Sequence, residues 1–172
     1  MGVRTVFLVG FMGSGKNTVG QELARRLGWD FVDLDREIER REQRTIPEIF
    51  RIDGEPVFRL AETTALQDLL AHHSPHNRVV ALGGGAFAEE TNRALLRQSS
   101  TVFLNAPVEE LWRRCQADGV ERPLQKDRAH FASLHDERLP LYRQASITIE
   151  THGKDPASIC TEIANMLRLG AI

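Results

Sequence analysis

The sequence predicts an α/β fold, a five-stranded parallel sheet flanked by helices, and three observations carry that prediction. Short apolar runs alternate along the chain with stretches of helical spacing, the order that winds a parallel sheet. A glycine-rich turn joins the first apolar run to the first helical stretch. The length, 172 residues with 41% hydrophobic and 27% charged, fits one domain with a real core and room for a small insertion.

Each element can be justified in order. Val3–Val9 reads as the first strand, and a helix follows from about Gly15 to Leu27, with Val19, Leu23 and Leu27 on one face. Trp29–Asp33 is a second, short strand. Helical material then runs from Arg36 to about Ala71. Within it, Thr45-Ile46-Pro47-Glu48 has the form of a capping box, and Asp53-Gly54-Glu55-Pro56 marks a second break and restart. Arg78–Leu82 and Thr101–Leu104 are the third and fourth strands, and Pro107 opens a helix after the latter. Ser146–Glu150 is the fifth strand, and Asp155-Pro156 caps a last helix ending near Gly170. Two stretches exceed a minimal strand–helix alternation: residues 36–71, and the polar segment of about 117–129. They are expected to be a substrate-binding helical segment and a lid within a single domain spanning 1–172, against the plainer alternative of surface decoration.

Composition excludes several functions. A formal net charge of −2 supplies no broad basic field for nucleic acid, and no apolar run approaches the length of a membrane span. The start, Met1-Gly2-Val3-Arg4, leads directly into a strand and leaves no room for a signal peptide; Gly2 is no myristoylation signal, since position 6 is Val6. Two cysteines, Cys115 and Cys160, make neither a disulfide framework nor a metal-ligand spacing, so the expected location is the cytoplasm. The cations are 19 Arg and 3 Lys, a skew that compositional bias explains for most positions.

Gly10-Phe11-Met12-Gly13-Ser14-Gly15-Lys16 matches G-x-x-x-x-G-K between a strand and a helix. Such a loop aims backbone N–H groups and a helix N-terminus at phosphates, with the lysine reaching the β- and γ-phosphates. The next residue breaks the pattern: Asn17 stands where a hydroxyl side chain would coordinate Mg²⁺, with Thr18 one place later. The amide oxygen substitutes, or phosphate, water and carboxylate hold the metal, or activity is impaired; the expectation is weakened but retained binding. Asp33-Leu34-Asp35 closes the second strand, where alternation puts both carboxylates on one side at the carboxyl edge of the sheet. One suits water-mediated Mg²⁺ and the other suits a proton acceptor, unless Asp35 simply caps the next helix. Arg59 and Glu62, three apart in Phe58-Arg59-Leu60-Ala61-Glu62, pair on one helix face, either as a plain surface bridge or to aim Arg59 at an anionic substrate. Gly83-Gly84-Gly85 after a strand makes sense where backbone must approach a ligand.

Lys16 in its loop, Asp33-x-Asp35, Phe58-Arg59-x-x-Glu62, Gly83-Gly84-Gly85, Arg122-Pro123-Leu124 and Arg138-x-Pro140-Leu141-Tyr142 together resemble the shikimate kinases in order and approximate spacing over nearly the whole chain. The resemblance implies a P-loop fold of the nucleoside-monophosphate-kinase type and transfer of the ATP γ-phosphoryl group to the 3-hydroxyl of shikimate. It implies that Lys16 and the amides of Gly13, Ser14, Gly15, Lys16, Asn17 and Thr18 hold the phosphates. Asp33 would hold Mg²⁺ through water, and Asp35 would bind the reacting hydroxyl as base. Arg59 and Arg138 would take the substrate carboxylate, Glu62 would orient Arg59, and the triplet Gly83, Gly84 and Gly85 would touch substrate. Catalytic Arg122 would reach the ATP phosphates from the lid, while Pro156 and either Arg114 or Arg113 would border adenine. ATP and shikimate are the expected partners, Mg²⁺ the expected cofactor, and a monomer the expected state. Gln125, where a second leucine is common, and the short span from Arg122 to Arg138 depart from the family pattern.

Other features are set aside. His72-His73-Ser74-Pro75-His76 reads as a surface loop, the two cysteines and Trp29 and Trp112 as packing or rim residues, and Arg25-Arg26 and Arg40-Arg41 as solvated helix faces. Two competing functions stay open here: a kinase for another small polyol acid such as gluconate, and a nucleotide-binding pseudokinase motivated by Asn17.

Overall fold

A computed structural model describes residues 4–72, 74–119 and 127–170. Its centre is a five-stranded sheet in the order β2-β3-β1-β4-β5, with β1 Thr5–Val9, β2 Asp30–Asp33, β3 Arg78–Ala81, β4 Ser100–Asn105 and β5 Ile147–Glu150. Every pairing is parallel, as the alternation of runs predicts.

Both faces of the sheet are covered, and the strand period shows it. Phe7 and Val9 enter one core cluster while Val6 and Leu8 enter the other, because successive side chains leave a strand on opposite sides. The second cluster is sealed by α1 Lys16–Leu27 and α8 Pro156–Leu167, through Val19, Leu23, Ile159 and Ile163. The first is sealed by α2 Leu34–Glu42, α3 Ile46–Ile52, α4 Glu55–Ala71, a short 3₁₀ turn at Ala86–Ala88, α5 Glu90–Leu95, α6 Val108–Asp118 and α7 Arg128–Tyr142.

Local signals set the boundaries. Thr45 and Glu48 form a reciprocal capping box at α3, and the Asp155 side chain accepts from the Ser158 N–H at the start of α8. The long helical excursion is thus three helices, cut at Gln43 and at Gly54, whose φ of 82° suits glycine. Other boundaries differ from expectation. The last helix stops at Leu167 rather than near Gly170, with Arg168 in the left-handed region. Helices α5 and α7 carry weak sequence signals; α7 contains Pro140, which obscures it because proline breaks the hydrogen-bond ladder. Most of the expected lid, including Arg122, lies outside the described residues.

This topology fixes the place of the site. β1 lies between β3 and β4, so the chain leaves the sheet in opposite directions on either side of it. The crevice at the carboxyl ends of those strands is where open parallel sheets bind ligands.

Candidate active site

The phosphate loop leaves β1 at Gly10 and enters α1 at Gly15, which occupies the N-cap with no side-chain partner. The first N–H groups of α1 therefore stay available to an anion. Gly13, at φ 76°, runs under α6 so closely that a Cβ there would meet the Leu111 carbonyl oxygen at 2.8 Å and the Cys115 Sγ at 2.9 Å. Lys16 folds back over the loop, its Nζ donating to the carbonyls of Gly10 at 2.8 Å and Phe11 at 3.0 Å.

Asp33 and Asp35 reach the crevice by a different route from the one alternation suggests. The strand ends at Asp33, and Asp35 lies in the first turn of α2. The helix is capped by Asp33, whose Oδ1 accepts from the N–H groups of Asp35 at 3.1 Å and Arg36 at 3.4 Å. The other oxygen, Oδ2, accepts from Asn17 Nδ2 at 2.7 Å. Asn17 thus ties the start of α1 to the cap of α2, a contact that a shorter hydroxyl side chain would not span.

Across the crevice, Glu62 is fully buried and accepts from Arg59 Nη1 at 2.8 Å. Asp35 Oδ1 and Glu62 Oε1 are both buried without a hydrogen-bond partner, and both aim at the backbone of Gly83. A Cβ on Gly83 would stand 2.5 Å from the first and 2.9 Å from the second. Burial lifts the Asp35 carboxyl to about 6, with the Asp33 charge adding to it. Burial also pushes Glu62 up to about 7 against the pull of Arg59. Buried acceptors without donors are costly in a folded chain and point to a ligand that supplies them.

The glycine triplet is held from behind by α7. The Tyr142 hydroxyl donates to the Gly84 carbonyl, and Arg138 Nη1 lies 3.5 Å from the same oxygen. Arg138 is itself buried, with its guanidinium 5.9 Å from the centre of the Phe11 ring. Tyr142 carried no assigned role in the sequence; its place one helical turn beyond Arg138 was the available signal. Gly85 presses on Arg59, where a Cβ would fall 2.5 Å from both Nη1 and Nη2. Gly85 has a φ of −98°, so alanine strains no backbone there. Gly85→Ala is expected to displace the guanidinium and weaken acceptor binding about 10-fold or more while shifting Tm by less than about 2 °C. Isothermal titration and a melting curve check this pair.

Arg114 lines the same cleft and donates to the Gly13 carbonyl at 3.3 Å. Arg113 instead faces a separate depression with Trp112 and Arg128. Glu110 binds Arg114 and also takes His152 Nδ1 at 2.6 Å, a link the sequence does not reveal. Thr151, Lys154, Pro156 and Ile159 complete this end of a cleft of about 1610 Å³ that also contains Lys16, Asp33, Asp35, Arg59 and Arg138. The expected site residues that are described therefore meet in one cavity. His72 bonds the Asp68 carbonyl, and no cluster of three or more candidate metal ligands among His, Cys, Asp and Glu occurs among the described residues.

Comparison with known proteins gives this cavity its context. The sequence profile of the family described as Shikimate kinase matches residues 12–168. The chain belongs to the shikimate kinase family. It is 43% identical over 167 residues to the shikimate kinase of Persephonella marina, covering 96% of this chain and 100% of that one. It is 41% identical to the enzyme of Nitrosospira multiformis, covering 96% and 86%. Among solved structures, shikimate kinase from Acinetobacter baumannii in complex with shikimate superposes with a TM-score of 0.87 at 39% identity, covering 96% and 93%. That from Aquifex aeolicus gives 0.83 at 37%, covering 95% and 96%. Membership in the shikimate kinase family makes this chain a small-molecule phosphotransferase of the P-loop class.

Proposed function

We propose that the protein transfers the γ-phosphoryl group of ATP to the 3-hydroxyl of shikimate, giving shikimate 3-phosphate and ADP. The observation that carries the reading is the partnerless Asp35 oxygen, set in one cavity between the phosphate loop and two arginines, the half-buried Arg59 and the buried Arg138. An acceptor with a carboxylate at one end and a hydroxyl at the other meets Arg59 and Arg138 with the first and Asp35 with the second. The phosphates lie against the loop amides and Lys16, and adenine between Arg114 and the Pro156 turn. Asp35 then accepts the hydroxyl proton as the oxygen attacks phosphorus. Lys16 stabilises charge on the transferring group, and Arg122 is assigned the same task from the lid.

The donor set fits a hard cation. Asp33 brings a carboxylate and Asn17 an amide, 2.7 Å apart at the rim of the phosphate loop, and Mg²⁺ takes few protein ligands beside phosphate and water. Asp33 and Asn17 would hold Mg²⁺ there, and the ion would supply positive charge against the phosphates. Because Asn17 spends its amide N–H on Asp33, Asn17→Ser is expected to release that carboxylate, tighten Mg²⁺ binding and raise turnover. The gain should stay below the about 10- to 100-fold that outer-shell changes make at metal sites. A Mg²⁺ titration of activity and of ATP affinity reads it, and unchanged curves in both would contradict it.

The function itself is tested by ADP release with and without shikimate and Mg²⁺. ATP binding without shikimate-dependent turnover would favour a nucleotide-binding module. A monomer in the cytoplasm belongs to the same reading; both cysteines are free and buried, and among the described residues no helix is long and apolar enough to cross a membrane.

A further inference from the structure

The guanidinium of Arg59 is ringed by three carboxylates. Glu62, one turn later in α4, takes Nη1 at 2.8 Å. Glu55, one turn earlier, accepts from Nε at 3.2 Å and Nη2 at 3.0 Å through the single oxygen Oε1. Glu89, just before α5, stands 3.7 Å from Nε. They differ in freedom. The Glu62 side chain is fully buried, whereas that of Glu55 is 44% exposed. The Nε–Nη2 edge is one of the paired-donor edges with which arginine grips a carboxylate.

We propose that Glu55 is a built-in competitor for the acceptor. Its carboxylate occupies the Nε–Nη2 edge of Arg59, and it turns out to solvent when the substrate carboxylate takes that edge. The inference rests on Arg59 receiving the substrate carboxylate. Exchange is feasible for Glu55 and not for buried Glu62, while Glu89, at 3.7 Å, has no hydrogen bond to Arg59 to give up. Glu55 is in the first turn of α4 and half in water, so its departure strands no buried group. Arg59 stays where it is, because Glu62 holds Nη1 and Gly85 backs both terminal nitrogens. The consequence is a threshold. Displacing Glu55 weakens every carboxylate ligand by the same factor, so a bare anion is left with low occupancy, while an acceptor that also brings a hydroxyl to Asp35 keeps a second source of affinity.

Glu55→Gln keeps the shape of the side chain and removes its charge. The expected result is shikimate binding about 2- to 10-fold tighter by isothermal titration, the range for a half-exposed ion pair. KM for shikimate should fall in step, with kcat and KM for ATP within about 2-fold of wild type. Acetate should become a better competitive inhibitor of shikimate. Glu89→Gln separates competition from general field, since Glu89 carries the same charge at similar exposure without a hydrogen bond; its gain should be the smaller. Weaker or unchanged shikimate binding in Glu55→Gln, or equal gains in the two variants, overturns the proposal. Should Glu55→Gln melt well below wild type, Glu55→Asp, one methylene short of Arg59, must show the tighter binding instead. Arg59→Leu tests the underlying reading: undiminished shikimate affinity there would remove Arg59 from the substrate site whatever Glu55 does.

Discussion

Asp35→Asn is expected to lower kcat by about 10²- to 10⁴-fold, the usual cost of a lost general base, while making the empty protein more stable. The two effects have one origin. Asp35 Oδ1 is buried with no donor, and burial together with the Asp33 charge lifts the carboxyl to about 6. A carboxyl raised in the folded state favours folding while it is protonated, and that contribution is lost as pH rises through about 6. Ionised Asp35 therefore costs the folded state about 2–3 kcal/mol at pH 8, or about 4–12 °C in Tm for a chain of this size. Asparagine carries no charge and avoids the cost. The Tm difference between variant and wild type should grow from pH 4 to pH 7 and then level. The kcat/KM of wild type should fall as pH drops below about 6, where the base is protonated. A variant with a lower Tm at pH 8, or with kcat within about 10-fold of wild type, would remove Asp35 from this role.

The same residue shows what the sequence could and could not disclose. Spacing predicts Asp33 and Asp35 on one strand face, and both do reach one cavity, but through a strand end and a helix start. Whether a strand continues for two more residues depends on the Asp33 cap contacts with the N–H groups of Asp35 and Arg36, made only once the chain has turned. Five parallel strands are legible because apolar runs carry their own period. The ends of α7 and the existence of α5 are not, because Pro140 and the short Glu90–Leu95 segment give little periodicity to read. The Arg59–Glu62 pair follows from helical spacing alone, and so would Glu55, at the same face one turn earlier. A long-range partnership such as Glu110 with His152 depends on tertiary packing and leaves no local trace.

Lys16→Met is expected to reduce activity about 10²- to 10³-fold or more, as loss of a preorganised donor to developing charge does, and here stability should fall with it. The Lys16 ammonium donates to the Gly10 and Phe11 carbonyls at 2.8 and 3.0 Å, so it braces the loop by its own contacts. Methionine fills similar space but donates nothing, and two carbonyls lose a charged donor at about 1.5 kcal/mol each, the low end for a charged bond at a partly exposed site. The resulting drop in Tm, about 6–12 °C, is opposite in sign to that of Asp35→Asn. ATP affinity should fall because the phosphates lose their cation, whereas shikimate should bind as in wild type, since Arg59, Arg138 and Asp35 are untouched. The opposed signs follow from how each group is kept. Lys16 is satisfied by the loop carbonyls, from which ATP would draw it in the proposed reaction. Asp35 Oδ1 has no partner in the chain, and in that reaction the acceptor would supply one. A Lys16→Met protein that melts above wild type, or that loses shikimate affinity together with ATP affinity, would contradict this division of the site.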